Sequence, residues 1–229
     1  VPSGRVTARV HTDPAGRVTS VDFINVACRL IAADVETDVE TDVDGGLSSV
    51  DPSRGPVVID LVWGGALYAC VDADRFGLTV TPGNLTKLIA LGRQVKSALA
   101  QHPMTKHHAD DRLSGVYGTI FVNRLGTLPT GELHQRNVTV FADGQVDRSP
   151  CGSGTAARLG ALHATGELAA SQTLVHESII GTQFRARVLA EADAGDGVIP
   201  IIESTAHKVA TCTFTVDPHD NLVPGFVLR

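Results

Sequence analysis

Alternation of apolar and polar residues with a period of two runs through most of this sequence, and it limits the fold more than any other feature. "GRVTARVHT" sets Val6, Ala8 and Val10 against polar neighbours, the pattern of a strand with one face buried. After the turn "DPAG" the pattern resumes in "RVTSVDFINV". "GPVVIDLVWGGALYACVDA" predicts two strands around Gly64 and Gly65, where missing side chains let another backbone or a ligand come close. "SGVYGTIFVN", "RNVTVFADG", "QTLVHES", "FRARVLAE", "VIPIIES" and "VATCTFTVD" complete the expected strands. Two stretches have helical spacing instead. "TPGNLTKLIALGRQVKSALAQ" puts Leu85, Leu88, Ile89, Val95 and Leu99 broadly on one face, with Thr81 as cap and Pro82 in the first turn. A second helix is expected from about Gly152 to Thr165, with Gly166 closing it. So many strands for so few helices predict an α+β fold with a barrel-like sheet wrapped on a helix.

A core of that kind needs apolar residues, and 43% of the 229 residues are hydrophobic against 19% charged. Disorder is excluded on those grounds. Aromatics are only 4%, so Val, Leu, Ile and Ala must fill the interior. The formal net charge of -6 comes without any basic block, which argues against nucleic acid or an anionic membrane as partner. No apolar run has the length of a membrane span. The repeat "VETDVETDVDGG" at residues 35–46 reads as a solvated loop or edge, because it lacks the EF-hand ligand order. His102, His107 and His108 cluster in "HPMTKHH", read as a polar loop because no carboxylate or Cys stands at ligand spacing.

Four cysteines are present, none in a CxxC pair. Cys70 and Cys212 sit in strand-like apolar runs and read as small buried hydrophobes. Cys28 is ambiguous. Reduced thiols and a cytoplasmic location are the default expectation. No signal peptide is visible, and the sequence opens on Val1 inside strand-like sequence. It therefore reads as a fragment or a processed product.

Cys151 alone has a chemical setting, in "DRSPCGSGT" from Asp147 to Thr155. It stands at the mouth of the second expected helix, where unpaired N–H groups and a partial positive charge gather. A thiolate is stabilised there and becomes a usable base or nucleophile. The N–H groups of Gly152, Ser153 and Gly154 can hold a carboxylate. Asp147 can receive an ammonium group, and Arg148 is read as structural. Together these residues suit a small zwitterion, with the thiol at the carbon between its charges. Two other readings stay open on local physics: a simple structural cap, and a Cys–His hydrolase using His134 or His163. His163 lies roughly 18 Å along the helix from its start, too far to act on Cys151 directly.

"DRSPCGSGT", with "VTVFADGQV" before it and "ESIIGTQF" after it, resembles the second active-site motif of the proline racemase superfamily. "WGGALYACVDA" and "DPHDNLVPGFVLR" resemble the same family, and the likeness covers essentially the whole chain. It implies two pseudo-symmetric lobes as in diaminopimelate epimerase, each a β-barrel around a central helix, with the site between two helix mouths. On that pattern residues 1–36 end a first lobe, 37–220 form the second, and 221–229 are a closing strand returning to the first. It implies no cofactor and no metal, a proline or hydroxyproline as partner, and a homodimer. Cys151 is then the second of two acid/base thiols that flank the α-carbon. Asp147 contacts the ring nitrogen, Gly152 and Ser153 offer N–H groups to the carboxylate, and Phe141 packs on the ring. The family's first motif, a Met-Cys-Gly-His-Gly helix mouth, is not in this sequence. The opposing acid/base residue is expected outside it.

Several stretches resemble the trans-3-hydroxy-L-proline dehydratases most: "VYGTI", "VFADGQVDRSP" and the Gly-Ser-Gly after the Cys. Many dehydratases of this type carry Thr where this chain has Cys151. Retention of Cys keeps 4-hydroxyproline 2-epimerase or proline racemase as alternatives. A catalytically inactive truncated lobe is the alternative from another class. Dehydration to Δ1-pyrroline-2-carboxylate is the expectation carried forward.

Overall fold

The structure, a computed structural model, describes residues 1–37, 39, 57–223 and 225. Among them are two α-helices, α1 (Leu85–Ala98) and α2 (Gly152–Ala164). The strands are β1 (Thr7–Thr12), β2 (Val18–Ile24), β3 (Arg29–Thr37), β4 (Val57–Trp63), β5 (Leu67–Asp72) and β6 (Val116–Thr127), followed by β7 (Leu133–Phe141), β8 (Gln145–Val146), β9 (Leu174–Ser178), β10 (Gln183–Glu191) and β11 (Val198–Ser204). They form one 11-stranded sheet in the order β1-β2-β11-β10-β9-β7-β6-β5-β4-β3, with β8 added to β7. β5 with β6 and β7 with β9 pair in parallel, and the other pairs are antiparallel. The α+β class expected from the alternation is the class observed.

The two faces of the central strands explain why their alternation is muted. Ile59, Leu61 and Trp63 of β4 and Ala69 and Val71 of β5 pack with Leu88, Leu91 and Val95 of α1. Val62, Tyr68 and Cys70 point the other way and pack with Ala157 and Ala161 of α2. A strand covered on both faces reads as a continuous apolar run. α2 is the central helix, buried from Gly154 to Leu162 without interruption. Its other side packs Ala156, Leu159 and Leu162 on Cys28, Leu174, Ala186 and Ile202. β7 supplies a polar wall. Gln135, Asn137 and Thr139 are fully buried, in alternation with Val138 and Val140.

Four expectations need correction. Thr81 caps a short 3₁₀ turn, Pro82–Asn84, without a side-chain bond, and α1 begins after Asn84. "VATCTFTVD" forms no strand; residues 205–217 lie in no regular element. A strand needs a neighbour to take its backbone hydrogen bonds, and none of the described strands lies beside it. Val209, Phe214 and Val216 are accordingly exposed, and so is Cys212, expected to be buried. β3 was not expected at all. Most of the acidic repeat, and the closing segment apart from 221–223 and 225, lie outside the described residues.

No helix among the described residues is long and apolar enough to cross a membrane.

Candidate active site

Cys151 occupies the N-cap of α2 with φ 65 and ψ 118. A non-glycine residue at positive φ is uncommon, and such backbone strain collects at functional sites. Its thiol is buried, 7% exposed. Tyr68 Oη lies 4.0 Å from Sγ and shares a 2.6 Å hydrogen bond with Ser153 Oγ. Gly64 sits tightly over this helix start: a Cβ on it would meet the Ser153 carbonyl oxygen at 2.4 Å. Gly152 has room, with Phe23 the nearest neighbour at 3.6 Å from an added Cβ.

An aromatic row leads away from the thiol. Tyr68 meets Tyr117 edge-on at 5.5 Å, and Tyr117 stacks on Phe141 at 5.9 Å with planes 6° apart. These are the chain's only two tyrosines. Parallel pairing of β5 with β6, Tyr68 opposite Gly118, puts them together. Burial holds the Tyr68 phenol above the ordinary tyrosine range, so it stays neutral.

The ionisation of Cys151 differs from the expectation of a helix-stabilised thiolate. Burial pushes the thiol up to about 11, and the Asp147 charge and its hydrogen bond to the thiol act in the same direction. The Gly154 N–H and the Thr139 hydroxyl pull the other way without winning. Desolvation outweighs the helix terminus here. Asp147→Asn removes the charge that disfavours the thiolate, so the Cys151 pKa is expected to fall. Peptide-resolved iodoacetamide labelling across pH measures this, and an unchanged or raised pKa contradicts the assignment.

A cleft of about 730 Å³ opens beside these residues, lined by Phe23, Gly64, Gly65, Tyr68, Tyr117 and Ser153 among others. Cys151, Asp147 and Phe141 are not in its lining; the thiol lies behind Tyr68 and Ser153. Of the residues named from sequence, Cys151, Asp147, Ser153 and Gly152 come together at the start of α2, and Phe141 joins them through Tyr117. Tyr68, Tyr117 and Thr139 were missed. Alternating polar residues in an otherwise apolar strand were the available signal for Thr139. His134 bonds Glu177 at 3.0 Å and His163 faces Glu191 at 3.4 Å, which occupies both histidines of the hydrolase reading. No group of three or more His, Cys, Asp or Glu that could hold a metal occurs among the described residues.

The family model described as proline racemase matches residues 1–227. The chain belongs to this family. It is similar to a trans-3-hydroxy-L-proline dehydratase of Burkholderia cenocepacia (strain HI2424), at 39% identity over 231 residues, covering 100% of this chain and 64% of that protein. It is similar at 38% identity, with the same coverage, to a 3-hydroxyproline 2-epimerase of Burkholderia multivorans (strain ATCC 17616 / 249). Among solved structures, a hydroxyproline epimerase from Agrobacterium vitis with bound trans-4-OH-L-proline superposes with a TM-score of 0.77 at 30% identity. That match covers 99% of this chain and 60% of the other. The chain thus spans about 64% of the length of the curated relatives it matches. Its fold is the α+β, diaminopimelate epimerase-like fold of proline racemase relatives, a sheet wrapped around the central helix α2.

Proposed function

We propose that this chain carries one acid/base face of a cofactor-independent enzyme that removes the α-proton of a hydroxyproline. The favoured reaction is dehydration of trans-3-hydroxy-L-proline to Δ1-pyrroline-2-carboxylate. The observation that carries it is Cys151 at the strained N-cap of α2, its thiol buried and its pKa raised by burial and the nearby Asp147 charge. The start of α2 suits a carboxylate, because its first N–H groups have no intrahelical acceptor. Gly152 and Ser153 supply them. An ammonium beside Asp147 offsets the charge that raises the Cys151 pKa, so zwitterion binding itself brings the thiol nearer to working range. Phe141 and Tyr117 give the ring an apolar wall.

In dehydration the α-proton passes to a base, the C3 hydroxyl leaves with a proton as water, and the enamine formed tautomerises to the imine. A thiol that rests protonated suits the proton-donor half of this sequence. The opposing group is not assigned to any residue of this chain. The division into lobes, a cytoplasmic location and a homodimer go with the same reading.

A second reading has its own support. Cys151, where many dehydratases carry Thr, favours two-thiol epimerisation or racemisation. Relatives named epimerase and proline racemase occur beside the dehydratases. Incubation of the full-length protein with trans-3-hydroxy-L-proline and trans-4-hydroxy-L-proline separates the two. A pyrroline from the first substrate is expected. D-configured 4-hydroxyproline with no pyrroline overturns the choice.

A further inference from the structure

His176 is a titratable group that the reaction above leaves unused. It lies on β9, fully buried, opposite Gln135 of β7. Burial pushes its imidazole down to about 3, with Arg158 and His134 adding to the effect, so it carries a single ring proton. Nδ1 lies 2.8 Å from Thr155 Oγ1, and Thr155 Oγ1 lies 3.0 Å from the Pro150 carbonyl oxygen. Nε2 is buried with no partner.

Proton counting fixes the direction of this chain of bonds. A carbonyl oxygen only accepts, so the one hydroxyl proton of Thr155 goes to Pro150. The Thr155 oxygen must then accept from His176, which places the ring proton on Nδ1. Nε2 is left as a bare acceptor, cheaper to bury unpaired than an N–H donor. The peptide linking Pro150 to Cys151 is pinned on its other side too, where Cys151 N–H donates to Ser149 Oγ at 3.2 Å. The orientation of that peptide plane sets φ of Cys151, the strained angle of 65.

We propose that Thr155 and His176 are positioning residues for Cys151. The chain from His176 Nδ1–H through the Thr155 hydroxyl to the Pro150 carbonyl holds the peptide ahead of Cys151 and so aims its thiol. Without it, the backbone relaxes from positive φ and the thiol turns from its buried place toward the cleft. The effect on turnover rests on the reading of Cys151 as an acid/base group; the effect on the thiol does not.

The test is peptide-resolved iodoacetamide labelling of the full-length protein, with buried Cys28 and Cys70 as internal references. Thr155→Val is expected to label at Cys151 about tenfold faster, the size expected for loss of one buried hydrogen bond. Thr155→Ser keeps the hydroxyl and is expected to label at the native rate. His176→Asn keeps a donor in the Nδ1 place and should match it, while His176→Leu should label fast. Native-rate labelling in Thr155→Val overturns the proposal. So does equal acceleration at Cys28 and Cys70, which marks general loosening. Nitrogen-15 NMR of the unaltered protein, which needs no variant to fold, is expected to find the His176 proton on Nδ1; a proton on Nε2 overturns the proposal. Fast labelling of Thr155→Val in a protein that turns over no hydroxyproline leaves the positioning role standing and removes the functional reading.

Discussion

Cys151→Ala in the full-length protein is expected to abolish epimerisation and to slow dehydration by roughly 10²–10⁴-fold, the range of a positioned acid or base. The difference between the two reactions is chemical. Inversion needs a competent group on each face of the α-carbon, whereas elimination can lose its proton donor and still proceed slowly from the opposite side. The substitution removes only sulfur from a small buried side chain, and alanine meets the same positive φ. A change in melting temperature is therefore not expected to accompany the loss. Unchanged turnover in a folded Cys151→Ala protein removes Cys151 from the chemistry.

Gly64→Ala carries the second large effect, on stability and site together. The new Cβ would lie 2.4 Å from the Ser153 carbonyl oxygen and 2.9 Å from Ala157 N and Cβ. These neighbours are backbone and the methyl of fully buried Ala157, so nothing flexible yields. Overpacking of this kind costs about 1–3 kcal/mol, a loss of about 3–10 °C in melting temperature for a chain of this size. Relief requires the start of α2 to move off the β4–β5 turn, which separates Ser153 from Tyr68. Hydroxyproline turnover is expected to fall with stability. Gly83→Ala is the control, since an added Cβ there meets nothing within 4 Å. Its thermal denaturation curve should overlay the native one; equal losses in the two variants contradict the packing argument.

The parts of this fold that could be read from sequence are those set by local pattern. α2 was expected from Gly152 to Thr165 and runs Gly152–Ala164 with Gly166 at positive φ beyond it, because its boundaries are made by glycines. β6, β7, β9, β10 and β11 fall where alternation put them. "VATCTFTVD" shows the limit of that method: it has the pattern of a strand, but pattern does not provide a partner. β3 failed in the opposite way. Its sequence "RLIAADVET" alternates poorly, and its pairing with β4 carries two register irregularities.

The site was legible in its centre and not in its walls. Cys151, Asp147, Gly152 and Ser153 lie within one short motif. Tyr68 and Tyr117 meet through a parallel pairing of β5 and β6 that no local pattern announces. The same holds for His176, which reaches Thr155 from another strand. Burial was the quantity most hidden. A thiol at a helix mouth suggests an activated thiolate, yet burial, with the Asp147 charge beside it, reverses the sign of the shift.

Proton exchange at the α-carbon tests the central claim most directly. The full-length protein is incubated in D₂O with trans-3-hydroxy-L-proline, trans-4-hydroxy-L-proline and L-proline, and the α-proton resonance of each is followed by NMR. Loss of that resonance from at least one hydroxyproline, strongest for the trans-3 isomer and suppressed in Cys151→Ala, is the predicted result. Intact α-protons on all three compounds, with a folded protein, contradict the account and leave a lobe without catalytic function.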